Sequence, residues 1–174
     1  MPHMQDPYFG RAVVFICEHN KDGALGFIVN KPFETLELQD LFSDFFPDDD
    51  DILKLVPDVY FGGPVLVERG IVLHSAEYKI ENTIAIGNDF SLTSNKTIIK
   101  EIAEKKGPKH SKLMLGHAGW AQYQLEAEIE NGDWLLEHTN IDFIFNTEEK
   151  FMWDTATKSF GIDISEFSGF GGSA

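Results

Sequence analysis

The residues best suited to chemistry fall at the ends of apolar stretches. Cys17 and His19 stand two apart, a spacing that on a regular strand puts both side chains on one face, where a thiol and an imidazole could serve as nucleophile and base. Adjacency supplies neither an orienting third group nor an oxyanion site, so a buried thiol beside a hydrogen-bonded histidine is the simpler expectation. His19, His74 and His117 each close an apolar run. With Glu126 they would make a four-ligand set for zinc or a related metal if the fold gathered them. Their long gaps match no compact metal signature, and the expectation is no metal. Gly62-Gly63-Pro64 and Gly116-His117-Ala118-Gly119-Trp120 are candidate ligand-binding turns, because glycine lets backbone N–H groups come close to a phosphate or carboxylate. Arg69 or Lys31 would supply counter-charge, and a helix opening near Trp120 would add its positive end. The competing reading is a pair of tight turns that position sheet edges. Gln124, Glu126 and Glu128 have the chemistry of acid–base groups, but helical spacing puts Glu126 and Glu128 on different faces, so no carboxylate pair for glycoside cleavage is in evidence. Trp120 and Trp134 could stack on a ring, although anchoring a core is the commoner use of tryptophan.

These residues sit in a chain of 174 residues with 29 acidic and 14 basic side chains, a net charge of −15. The length fits one domain, residues 1–174, with the last residues 165–174 read as a tail. With 43% apolar residues and 15 phenylalanines, such a chain buries a core of its own and is neither disordered nor a stapled miniprotein. The charge disfavours direct DNA binding, since phosphates must be neutralised by Lys and Arg. Six lysines between Lys96 and Lys112 form a local exception, read as a solvated helix face. One cysteine cannot make an internal disulfide, and the longest strongly apolar run, Ala12 to Cys17, is only six residues long. A cytoplasmic location with no membrane partner is expected.

The elements follow from patterning. Arg11 to Glu18 and Ala24 to Asn30 read as strands joined by turn residues Asn20 to Gly23. Thr35 caps an expected short helix carrying Leu38, Leu41, Phe42 and Phe45, which Pro47 and the acidic run Asp48 to Asp51 end. Further strands are expected at Val59 to Gly62, Gly70 to Ser75, Thr83 to Ile86 and Lys112 to His117. Ser94 to Lys106 reads as a helix capped by Ser94, and Ala121, Leu125 and Ile129 define the stripe of another. Asp133 to His138 looks extended, and Thr147-Glu148-Glu149 opens a last helix. Strands and helices do not alternate regularly, so the expected class is α+β: one domain with a coiled or strongly bent mixed sheet and about four helices.

Asp6-Pro7 through Cys17-Glu18-His19-Asn20, Gly23 through Pro32, Gly62-Gly63-Pro64-Val65 with Arg69 through His74, and Leu115 through Trp120 followed by Gln124-Leu125-Glu126 occur in one order over nearly the whole chain, with Trp153 and Gly161-Ile162-Asp163 beyond. This combination resembles the AlgH/YqgE family of bacterial proteins. The resemblance implies a mixed α/β protein with a complex, coiled sheet and a family without an established biochemical activity, some of whose members carry the label of transcriptional regulator. No DNA-reading motif accompanies it here.

Together these readings point to a non-catalytic binding or regulatory protein whose influence on transcription, if any, is indirect. The alternative is a small-ligand sensor or enzyme that uses the Gly-rich turns and strand-end histidines. His19, Asn30, Arg69, His74, His117, Trp120, Gln124 and Glu126 form the candidate surface or cleft. No cofactor is indicated. The expected partner is a protein or small molecule, and sheet edges leave room for self-association.

Overall fold

The apolar run that starts at Ala12 becomes the edge of a sheet. Strand β1 (Val14–Asn20) turns through Lys21-Asp22 into β2 (Gly23–Ile28), antiparallel, with Val14 opposite Ile28 and Asn20 opposite Gly23. The Asn20 side chain accepts the Asp22 N–H at 2.8 Å and closes the turn. A bulge between Ile16 and Glu18 interrupts the register. The extra residue breaks strict alternation, so Cys17 packs with Phe15 and Phe27 on one face while His19 reaches a helix on the other.

The computed structural model describes residues 6–33 and 59–160; the helix expected after Thr35, the run Asp48 to Asp51 and the tail 165–174 lie outside them. Strands β3 (Val59–Phe61), β4 (Val65–Ser75), β5 (Thr83–Ile86), β6 (Phe90–Thr93) and β7 (Ser111–Ala121) complete a seven-stranded sheet in the order β1-β2-β7-β4-β6-β5, with β3 also on β7. The β3–β7 pair is parallel and the others antiparallel. The expected mixed, bent sheet is present, curled into a half-barrel. β7 is its spine: one edge pairs β4, and the other carries β3 at Leu113–Leu115 and then β2 at Ala118–Ala121. Where β3 hands over to β2, the Gly62 carbonyl accepts the Ile28 N–H and the Gly62 N–H reaches the Leu115 carbonyl, both at 2.8 Å.

Both faces of the sheet are covered. Alternation sends Met114 to one side and Leu113 and Leu115 to the other. Helix α1 (Thr97–Ala103) lays Ile98 and Ile99 on Val72, Leu113 and Leu115. It is shorter than Ser94 to Lys106, and Asn95 rather than Ser94 accepts the Thr97 N–H. Helix α2 (Gln124–Glu130) packs Leu125 beside Ala118 and Trp120. On the opposite face, α3 (Ile141–Asn146) and α4 (Glu149–Lys158) bring Ile144 and Met152 onto Phe15, Phe27, Leu73 and Met114. Full burial of side chains of this size is worth about 1.5 to 3 kcal/mol each. α3 is additional to the elements expected; Asn140 caps it by accepting the Phe143 N–H at 2.9 Å. Trp120 lies in β7 rather than at a helix start, because Ala24 and Gly23 pair with Trp120 and Ala121.

Candidate functional site

The strand-end histidines go to different places. His19 Nε2 meets Glu126 Oε1 at 2.7 Å, on the surface where β1 ends beside α2. That hydrogen bond holds the Glu126 carboxyl below the usual carboxylate range. The Cys17 thiol, meanwhile, donates to the Phe15 carbonyl at 3.7 Å, and burial pushes its pKa up to about 12, which suppresses the thiolate a nucleophile needs. His117 is half-buried in β7, where burial and the Arg69 guanidinium hold its imidazole below the ordinary range.

His74 pairs with Ser111, six residues along β7 from His117, a separation of roughly 20 Å in extended chain. Its ring is fully buried, with Nδ1 2.9 Å from the Ser75 carbonyl and Nε2 2.8 Å from Thr93 Oγ1, which also meets Thr83 Oγ1 at 2.7 Å. The fold therefore joins His19 to Glu126 and leaves His74 apart from both. Burial lowers the His74 pKa, and the Ser75 carbonyl and Glu77 only partly offset it. Because the unfolded chain binds this proton more readily, stability is complete above the ordinary value of 6.5 and is lost as pH falls below it through the folded value. The urea midpoint should drop between about pH 7.5 and about pH 5, and His74→Gln should flatten that slope. An unchanged slope in the variant would show that another group titrates.

The glycine turns face each other. A Cβ on Gly62 would lie 2.4 Å from the Gly116 carbonyl oxygen, and one on Gly116 2.3 Å from that of Gly63. Gly63 and Gly116 thus serve a backbone-to-backbone approach between the end of β3 and the middle of β7. Gly119 has ordinary space around it and pairs with Leu25. Lys31 donates to the Tyr8 carbonyl at 2.7 Å. Asn30 clamps the start of β1, accepting the Val13 N–H at 2.8 Å and donating to the Arg11 carbonyl at 3.0 Å. Lys112, read as part of a solvated lysine patch, is instead buried, with Nζ 3.0 Å from Glu149 Oε1 and 4.1 Å from the Tyr60 ring centre.

Glu128, weighed in the sequence only as an acid–base group beside Gln124 and Glu126, is a polar centre. The indole N–H groups of Trp120 and Trp134 both donate to its Oε2 at 2.8 Å, and Gln124 Nε2 donates to Oε1 at 2.9 Å. Burial alone would raise this carboxyl, but the three donors outweigh it and keep it below the usual range. Gln124 also accepts the Ala121 N–H at 2.9 Å, so the end of β7, α2 and Trp134 are tied into one unit.

That unit forms one side of a cleft of about 460 Å³. Its floor is Ala12 through Ile16, and Trp120, Trp134, Phe143 and Trp153 stand around it. The far wall is the segment 135–140, which leaves the α2 side on one face of the sheet and enters α3 on the other, crossing the outer edge of β1. Ser159 Oγ donates to Glu137 at 2.8 Å and fastens this strap to the end of α4. Leu136 on the strap is 61% exposed. Of the candidate residues, only Trp120 lines the cleft.

A curled, mixed half-barrel sheet with helices on both faces and an apolar cleft along its edge strand defines the protein as an α+β domain. Among the described residues no helix is long and apolar enough to cross a membrane. The chain belongs to the AlgH-like family DUF179, whose model matches residues 1–165. A UPF0301 protein of Jannaschia sp. is 41% identical over 165 residues, covering 94% of this chain and 85% of the relative. The UPF0301 protein YqgE of Escherichia fergusonii is 36% identical, covering 100% and 95%. The solution structure of the AlgH protein from Pseudomonas aeruginosa superimposes with a TM-score of 0.77 at 32% identity, over 100% of this chain and 92% of that one. The family is one of unestablished function.

Proposed function

We propose that this is a non-catalytic binding protein that acts in the cytoplasm through the cleft at the edge of β1, with any effect on transcription passing through what it binds. The cleft carries this reading: about 460 Å³ with aromatic walls lies within the range of sites that hold small molecules or side chains. Among the described residues, the roughly 20 Å of β7 between His74 and His117 leaves the strand-end histidines without a common point, which supports this reading as well. A charge of −15 favours a protein or small molecule over DNA as the partner. The exposed His19–Glu126 pair favours a second reading, a small-ligand sensor or enzyme at that surface, in which His19→Ala alone would abolish binding or turnover.

The neutral fluorophore N-phenylnaphthylamine tests the cleft. It should bind with a rise in its emission and quenching of tryptophan, and Ala156→Phe, which fills the cleft from α4, should weaken binding by about tenfold or more. Retained circular dichroism in the variant would show that the fold is intact. Absence of binding by the parent protein, or equal binding by Ala156→Phe, would overturn the proposal.

A further inference from the structure

Val14 and Ile16 lie on the outermost strand of the sheet, and the pairing decides where their peptide groups point. Antiparallel neighbours alternate between pairs that exchange both backbone hydrogen bonds and pairs that exchange none. Ile28 gives its N–H to Gly62, away from β1, while the Val29 N–H reaches the Val13 carbonyl at 2.9 Å. Ile28 is opposite Val14. That pair therefore exchanges no bond, and the Val14 N–H and C=O face outward. Ile16 repeats the orientation, opposite Gly26, which pairs with Ala118 of β7 on its other side. Both residues line the cleft. Among the described residues, no hydrogen bond closes on these outward groups.

Across the cleft the strap from Leu135 to Asn140 is exposed and belongs to no strand. The free edge and the strap thus bound a slot with apolar surfaces above and below: Val13 and Phe15 pack toward α3 and α4, Val14 and Ile16 toward Trp120 and Trp134. A strand edge with free N–H and C=O groups is a template for one more strand. Among the described residues that line the slot, Glu137 is the only carboxylate and none is a lysine or arginine. With the overall charge of −15, an acidic strand is repelled and a basic one attracted.

We propose that the cleft takes up an extended segment of a partner protein by strand addition to β1, with apolar side chains at alternate positions entering the slot and neutral or basic ones between them. This rests on the reading of the cleft as the binding site and adds the backbone of the ligand to it.

The probe is a capped peptide of alternating valine and lysine, as long as β1, seven residues, together with two versions N-methylated on either its valines or its lysines. The parent peptide should bind the full-length protein and slow hydrogen exchange at the Val14 and Ile16 amides. One methylated set should lose about tenfold or more in affinity, the other little, because only alternate N–H groups face β1. Equal binding by both methylated peptides would overturn strand addition while leaving the cleft a binding site. So would failure of the parent peptide in a protein that still binds N-phenylnaphthylamine; failure of both probes would remove the reading of the cleft itself. Displacement of the probe by a peptide of residues 161–174, or a dimer in sedimentation that the probe dissociates, would assign the slot to the chain's own end or to a second copy and overturn a separate partner.

Discussion

Glu149→Leu is expected to cost about 3 kcal/mol of stability, because it takes a carboxylate partner away from a buried ammonium. The Lys112 side chain is only 4% exposed and Glu149 31%. Glu149 Oε1 accepts from Lys112 Nζ at 3.0 Å and from the Tyr60 hydroxyl at 2.6 Å, while Lys112 also donates to the Val29 carbonyl at 3.1 Å. Loss of the carboxylate removes a compensating charge at 3.0 Å, and an ammonium inside a core cannot make up that loss with water. Lys112→Met should cost less, about 1 kcal/mol, since the more exposed Glu149 turns to water and methionine fills the space of the lysine stem. Acid should reveal the same group. Burial would raise the Glu149 carboxyl, but hydrogen bonds from Tyr60 and Lys112 outweigh it and hold it below 4.5. Its contribution is therefore complete above that value and lost as pH falls through the folded one. Urea unfolding at neutral pH, followed by tryptophan emission, measures the difference; a smaller loss in Glu149→Leu than in Lys112→Met would contradict the account.

Gly63→Ala should be more damaging still, with a loss of about 4 kcal/mol or more and little soluble protein. Gly63 has φ +148°, and a Cβ there would lie 2.2 Å from the His117 carbonyl carbon. The obstacle is backbone of β7, which cannot rotate away as a side chain would, so the β3–β7 junction must open. Gly87 is the internal control: φ is +61° but nothing lies within 4 Å of an added Cβ, so Gly87→Ala should cost about 1 kcal/mol, the conformational part alone. Soluble yield and urea midpoints compare the two. Similar losses at both positions would mean that conformation, not contact, sets the cost at Gly63.

Much of the scaffold was legible because its elements are long or bounded by strong punctuation. Asn20 to Gly23 marks the first hairpin, and Gly107-Pro108 marks the end of the region containing α1. What escaped was short or depended on neighbours. The Phe90–Thr93 strand has four residues, all buried, without the alternation that exposes one face to water. Ile141 to Asn146 carries isoleucine and phenylalanine in a pattern as fit for a strand as for a helix; the Asn140 cap is the local signal. At the site, the opposite faces of Glu126 and Glu128 followed from helical spacing, and the two carboxylates indeed serve different partners. No spacing rule links Glu128 to Trp134 across the turn that follows α2, and Val14 and the strap come to line one cleft only because the chain wraps round the sheet edge.

The position of β7 at the centre of the sheet also governs how the molecule comes together. Gly23 pairs with Ala121, about 100 residues later in the chain, so the inner edge of the first hairpin from Gly23 to Gly26 has no neighbour until most of the protein has been made. Long loops must close before that contact repays its entropy, which makes this a slow kind of topology. During synthesis the hairpin has two open edges, the inner one waiting for β7 and the outer one at Val14 and Ile16. Arrival of residues 111–121 seals the inner edge and thereby ends the period in which a nascent chain can pair there with the wrong strand.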